Sequence, residues 1–188
     1  EGISLYLLRN LRHIPDPWSA YIGVKKLPPA HWMVIRNGQI ENIQQYWFPA
    51  TEPEQPCSAN ELRALFDEAV SLRRVADVDV AALLSGGVDS TAIVNTMAQQ
   101  SGGSLSTYTI GLAENDPEVL LAETTAASTG TRHRTITANT QNYHKHFESL
   151  ITQLGEPVVL LPLIHALELF TSIRKDGIKV VMTGHGGD

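Results

Sequence analysis

Apolar positions repeat with two different periods along this chain, and the changes of period mark out its elements. Leu62, Leu65, Phe66, Ala69 and Leu72 recur at the i, i+3, i+4 spacing of a helix that buries one face, with Ser58 or Asn60 before them as a cap. Four short apolar or β-prone runs follow, at Val78 to Leu84, Leu105 to Ile110, His133 to Thr137 and Ile178 to Thr183. Between them lie segments long enough for helices: Ser90 to Gln100, Glu118 to Thr129, and the pair Gln141 to Leu154 and Leu163 to Lys175. Strands that alternate with helices predict an α/β domain, an open and mostly parallel sheet with helices on both faces and right-handed crossovers.

The first 50 residues follow another pattern. His31 to Arg36 and Ile40 to Phe48 have β character and flank Asn37-Gly38, the dipeptide favoured in a type I′ hairpin. Two strands are too few for an independent sheet, so this piece is expected to be the tail of a larger upstream domain. Thr51 to Asn60, with Pro53, Pro56 and Ser58, has the composition of a linker. The expected division is therefore a remnant plus linker over 1–56 and an α/β domain over 57–188.

Composition removes several classes of function. The 188 residues are 43% hydrophobic and 18% charged, which suits one globular domain plus part of another. No apolar run approaches the roughly 20 residues that span a bilayer, so no membrane segment is expected. A net charge of −6 with no basic stripe argues against general nucleic-acid binding. One cysteine, Cys57, allows no internal disulfide and fits a reducing cytoplasm. The chain begins at Glu1 with no leader-like stretch and is expected to be an excised or trimmed segment.

The chemistry concentrates in Ser85-Gly86-Gly87-Val88-Asp89-Ser90, placed between the first strand of the α/β region and a helix. A strand that ends in two glycines and restarts as a helix leaves backbone N–H groups convergent at the positive end of a helix dipole, where anions bind. The loop lacks the Lys-Ser/Thr ending of a Walker A motif and so is not expected to grip β and γ phosphates as that motif does. It resembles the SGGxDS loop of the PP-loop ATP pyrophosphatases, which cleave ATP between the α and β phosphates. A plain strand-to-helix turn capped by Asp89 or Ser90 is the simpler alternative.

A second motif, Thr183-Gly184-His185-Gly186-Gly187-Asp188, follows the fourth strand. Ligands of open α/β sheets bind beyond the carboxyl ends of the strands, where the strand order reverses. With the order 3-2-1-4 the first and fourth strands are neighbours, and the two glycine loops face each other over one crevice. Each loop ends in a carboxylate, Asp89 and Asp188. A Mg²⁺ ion carrying pyrophosphate needs hard oxygen ligands and takes only one or two from a protein.

The ordered set Leu83 to Thr91, Tyr108-Thr109-Ile110-Gly111, Gly130-Thr131-Arg132-His133, Gly155-Glu156-Pro157 and Val180 to Asp188 resembles the synthetase domain of glutamine-hydrolysing asparagine synthetases, the asparagine synthase family. Gly23 to His31 and Tyr46-Trp47 look like the end of that family's glutamine amidotransferase domain. The resemblance implies a PP-loop fold with the 3-2-1-4 order. It also implies amide formation through an acyl-adenylate: aspartate's carboxylate attacks the α-phosphorus of ATP, pyrophosphate leaves with Mg²⁺, and ammonia from an upstream glutaminase displaces AMP. By the same resemblance Ser85, Gly86, Gly87, Asp89 and Ser90 hold pyrophosphate, Asp89 and Asp188 bind the metal, and Leu83, Ile110 and Gly184 line the adenosine pocket. A homodimer is an open option that the sequence does not decide.

Two departures bear on the product. His185 stands where the family usually carries Glu, and could manage protons during amide formation only because a histidine titrates near neutrality. Leu160-Leu161-Pro162 replaces the usual Asp-Pro pair. β-Lactam synthetases and lasso-peptide cyclases, which keep the adenylating loop on another acceptor pocket, are therefore rival amide formers. A degenerate nucleotide-binding domain is the non-catalytic rival, and the segment by itself is expected to be inactive. Arg132 and His133 could reach a substrate from a loop or serve as surface residues. His144 and His146 lie two apart on a predicted helix and do not form a metal pair. His31 and His165 are expected to be structural.

Overall fold

Two-residue and helical periodicity along the chain produce, in a computed structural model, α1 (Gly2–Leu8), β1 (His31–Arg36), β2 (Gln39–Gln45), α2 (Ala59–Arg73), β3 (Val80–Leu83), α3 (Val88–Ser101), β4 (Ser106–Gly111), α4 (Pro117–Thr129), β5 (Arg132–Thr137), α5 (Tyr143–Leu154), α6 (Leu161–Lys175) and β6 (Val180–Met182). The structure describes residues 1–9, 11–49, 56–102, 104–113, 115–139, 141, 143–157 and 161–185. These residues fall into two compact units, Glu1–Gln55 with His144–Leu161, and Pro56–Tyr143 with Pro162–Asp188.

The larger unit has the expected α/β architecture. Its four strands are all parallel and run in the order β5-β4-β3-β6, which is the expected 3-2-1-4. Alternation along the central strand sends successive side chains to opposite faces. Ala82 and Leu84 pack with Val70 of α2, Val94 and Met97 of α3, and Ala122 and Ala126 of α4. Ala81 packs on the other face with Tyr108, Leu169 and Ile173, the last two from α6. The two central alanines are fully buried, and their small side chains let helices approach the sheet from both sides.

The helix starts have local causes. The Ser58 hydroxyl accepts from the Glu61 N–H at 3.2 Å, and the Glu61 carboxylate accepts from the Ser58 N–H at 2.8 Å, so α2 starts with a reciprocal capping box inside the predicted linker. Asp116 caps α4 by accepting from the Glu118 N–H at 3.0 Å, and Pro117 occupies the first helical position, where a missing N–H costs nothing. The first and last strands of this sheet in chain order are shorter than their apolar runs. β3 pairs over Val80–Leu83 and β6 over Val180–Met182, with the flanking residues used in packing or in turns.

In the smaller unit β1 and β2 form the expected hairpin, with Asn37 and Gly38 at φ of 50° and 73° as a type I′ turn requires. The register shifts between Val34 and Ile35, so that Ile35 faces Ile40 while Val34 faces Asn42. Helix α1 was not legible in the sequence, because it is seven residues long and no side chain caps it. Also unexpected is the company of the segment after α5. The Lys26 ammonium donates to the Ile14 carbonyl at 2.8 Å and pairs with the Glu156 carboxylate at 2.7 Å, and Gly155 lies against the ring of Tyr21. These partners are some 130 residues apart, a pairing that local pattern does not encode.

Asp176, in the turn after α6, accepts from the Arg134 guanidinium and, at 3.1 Å, from the Tyr108 hydroxyl. The hydrogen bond from Arg134 is the main cause that holds the Asp176 carboxyl below the usual carboxylate range, while burial first and then the bond to Asp176 push the Tyr108 phenol up. A carboxyl depressed in the folded state stabilises it fully above the unfolded value of about 4, and that contribution fades as pH falls through the folded value. Asp176→Asn is therefore expected to be less stable than the parent at pH 7, with the difference shrinking below about pH 4. Melting temperatures from pH 7 to pH 3 test this, and a difference that stays constant over that range refutes it.

Candidate functional site

β3 leaves the sheet at Leu83 and the chain restarts as α3 at Val88, with Gly87 extended as the N-cap residue and no side chain capping the helix. Ser90, the third helical residue, turns back into the loop instead. Its hydroxyl accepts from the Ser85 N–H at 3.2 Å, donates to the Gly87 carbonyl at 3.2 Å, and lies 3.1 Å from the Ser85 hydroxyl. The loop is thus held by its own hydroxyls, while the N–H groups of the first turn keep their positive dipole end without a side-chain acceptor. Asp89, the other residue weighed as a cap, is the second residue of the helix and does not cap it.

Two glycines set how closely neighbouring backbone meets this loop. Gly86 has φ +76°, and a Cβ there would lie 2.4 Å from Leu121 Cβ and 3.1 Å from the Ala122 nitrogen, so it packs on α4. Gly184 follows β6, which runs beside β3. A Cβ on Gly184 would lie 3.0 Å from the Ser90 nitrogen and 3.2 Å from Asp89 Cβ. The two motif loops therefore meet at α3's first turn, on the same side of the sheet, as the strand order requires.

Together they enclose a cleft of about 380 Å³. Ser85, Gly87, Asp89 and Ser90 line one part, Thr183, Gly184 and His185 another, and Leu83, Tyr108, Ile110 and Leu169 supply an apolar end. Of the residues expected at the site, Leu83, Ser85, Gly87, Asp89, Ser90, Ile110, Gly184 and His185 all line this cleft; Gly86 sits under it against α4. Asp188 lies outside the described residues, as do Gly186 and Gly187. Among the described residues no group of three or more His, Cys, Asp or Glu side chains is placed to hold a metal ion. A site that combines Asp89 with backbone and hydroxyl oxygens still suits Mg²⁺, which takes few protein carboxylates.

Sequence reasoning missed Leu169, Glu118 and Thr183 as lining residues, and assigned no role to Tyr108 or Thr109. Glu118 carried a usable signal, since it opens the helix after the second parallel strand and so falls at the carboxyl edge of the sheet. Leu169 carried none, because its position depends on how α6 lies over the sheet.

The remaining histidines are elsewhere. Arg132 and His133 lie in β5 and not in a loop: Arg132 donates to the Ser104 carbonyl at 3.0 Å, and His133 Nδ1 meets the Thr107 hydroxyl at 3.0 Å. Burial lowers the His133 pKa, partly offset by Glu123. His165 bonds the Tyr143 hydroxyl, and His31 bonds the Pro29 carbonyl at 2.8 Å.

An α/β domain with two glycine loops converging on an uncapped helix start defines a nucleotide- or anion-binding class of site. The model of the asparagine synthase family matches residues 61–188, and the chain belongs to that family, whose curated relatives are ligases. A Mycobacterium bovis protein provisionally named a glutamine-hydrolysing asparagine synthetase is 29% identical over 95% of this chain and 28% of its own length. The glutamine-hydrolysing asparagine synthetases of Bacillus subtilis, isoform 1, and Zea mays are 25% and 27% identical over 100% and 98% of this chain. The chain spans about a third or less of these relatives, 28% to 33% of their length. A solved structure described as a predicted subunit of tRNA methyltransferase from Methanocaldococcus jannaschii is 26% identical over 59% of this chain and 54% of its own, with a TM-score of 0.37, too partial a likeness to bear on fold or function.

Gly86 and Gly102 offer a matched pair. Both have a left-handed backbone, at φ +76° and +62°, but a Cβ on Gly102 meets nothing within 4 Å. Each alanine incurs about 1–2 kcal/mol of backbone strain. Gly86→Ala is expected to cost at least about 1 kcal/mol more than Gly102→Ala, because α4 must also be displaced. Urea denaturation of the two variants measures the difference, and equal losses would mean that α4 yields freely.

Proposed function

We propose that this chain carries the adenylating core of a glutamine-dependent asparagine synthetase. The carrying observation is the start of α3, where no side chain caps the helix and Ser90 is turned back to hold the loop. A helix start left open in a cleft suits an anion, and the apolar end at Leu83, Ile110 and Leu169 suits the base of a nucleotide.

Bound ATP would place its β and γ phosphates against the loop of Ser85, Gly87 and Ser90 and its adenine among the apolar residues. The amides of α3's first turn then stabilise charge that grows on pyrophosphate as the α–β phosphoanhydride bond breaks. The aspartate side-chain carboxylate supplies the attacking oxygen, and the product of this step is β-aspartyl-AMP. Ammonia forms the C–N bond at the acyl carbon, AMP leaves with the acyl C–O electron pair, and one proton is lost. His185, at the rim of the cleft, is the residue here that can accept that proton. Asp89, with Asp188, would hold Mg²⁺, which neutralises the departing pyrophosphate. Residues 1–56 are assigned to the end of an upstream amidotransferase domain that delivers the ammonia, and the free, exposed thiol of Cys57 fits work in a reducing cytoplasm. Among the described residues no helix is long and apolar enough to cross a membrane.

ATP–pyrophosphate exchange by the full-length protein tests the proposal. Aspartate is expected to raise exchange, and Asp89→Asn to lower it by about 100-fold or more, the scale of losing a key electrostatic contact to the transition state. Exchange that ignores aspartate but responds to another carboxylate would move the assignment to a different amide former. Failure to bind Mg-ATP would refute an enzymatic role for the cleft.

A further inference from the structure

Glu118 lines the cleft with a side chain that has no work in the fold. It is exposed, it lines the cleft with Thr109 and Ile110, and its carboxylate makes no hydrogen bond or ion pair among the described residues. The capping of α4 belongs to Asp116, which accepts from both the Glu118 N–H at 3.0 Å and the Leu112 N–H at 3.2 Å.

Its position is nevertheless fixed from two sides. Gly111, at the end of β4, has no Cβ, and one there would lie 2.5 Å from Val119 Cγ2, so the first turn of α4 is pressed against the end of that strand. Gly86 does the same for the second turn, where a Cβ would meet Leu121 at 2.4 Å. The start of α4 is thereby wedged between the apolar end of the cleft and the phosphate loop. A nucleotide laid along the cleft has its parts in the same order, with base, then sugar, then phosphates.

We infer that Glu118 accepts hydrogen bonds from the ribose hydroxyls of the nucleotide and makes the cleft selective for ribonucleotides, an inference that rests on the function proposed above. A carboxylate beside a phosphate loop repels anions and needs donors, and the sugar hydroxyls are the donors a nucleotide offers at that distance from its phosphates. The same pairing of a carboxylate with a ribose hydroxyl serves dinucleotide-binding sheets.

The test is the affinity of the full-length protein for ATP, 2′-deoxy-ATP and 2′,3′-dideoxy-ATP, measured by calorimetry at several Mg²⁺ concentrations. The parent is expected to bind ATP about tenfold or more tightly than the dideoxy nucleotide, the scale of hydrogen bonds to a charged group. In Glu118→Ala that ratio should fall to about twofold or less while affinity for the dideoxy nucleotide holds, and Glu118→Gln should retain part of it. An unchanged ratio in both variants overturns the inference. So does a raised Mg²⁺ requirement shared equally by all three nucleotides, which would make Glu118 a metal ligand. If the parent binds no nucleotide, the proposed function falls and this inference with it. Melting curves confirm that the variants fold.

Discussion

Everything at the site depends on how closely backbone can approach the first turn of α3. Its N–H groups act over the distance of a hydrogen bond, so the loops around it must come within van der Waals contact without covering it. Glycine achieves this twice. Gly184 brings the second loop to the Ser90 nitrogen, and Gly86 lets α4 close underneath, so the loop after β3 is clamped between the strand-end segment and a helix. The hydroxyls of Ser85 and Ser90 then complete the loop from within, sparing the helix start a side-chain cap.

This arrangement requires β6 to lie next to β3, and the sheet secures that by packing rather than by ladder length. β6 pairs over only three residues, Val180 to Met182. Met182 enters the cluster shared with α2, α3 and α4, and Val181 packs with Ala81, Leu169 and Ile173 on the other face. A short strand gripped on both faces places the residues after it as firmly as a longer ladder would, and those residues are Thr183 and Gly184.

The alternation of strands and helices was legible because each segment's period survives in its local sequence, whereas the 3-2-1-4 order came from the family resemblance and not from any local pattern. The capping of α2 was legible because Ser58 and Glu61 are three residues apart. Features set by distant partners were not. Leu169 reaches the cleft only through the way α6 crosses the sheet, and the pairing of Lys26 with Glu156 joins residues whose neighbours in sequence say nothing of each other. Arg132, one residue ahead of the β-prone run that starts at His133, escaped because its charge hides membership of a strand whose ladder with β4 is held by backbone bonds indifferent to side chain. Helix α1 escaped because seven residues carry too little periodicity.

The charge of the cleft supplies a last constraint on the proposed chemistry. Its described lining contains Asp89 and Glu118 but no lysine or arginine, in a chain whose net charge is −6. Long-range attraction therefore does not draw a polyphosphate in, and its charge must be met by short-range groups once it arrives. Helix dipoles contribute about half an elementary charge at each start, less than a triphosphate carries. Under the proposed function the balance would fall to a divalent ion, with Asp89 as a metal ligand where it would otherwise oppose the phosphates. Under the proposed function the two carboxylates would each face something other than bare phosphate, a cation for Asp89 and a sugar for Glu118.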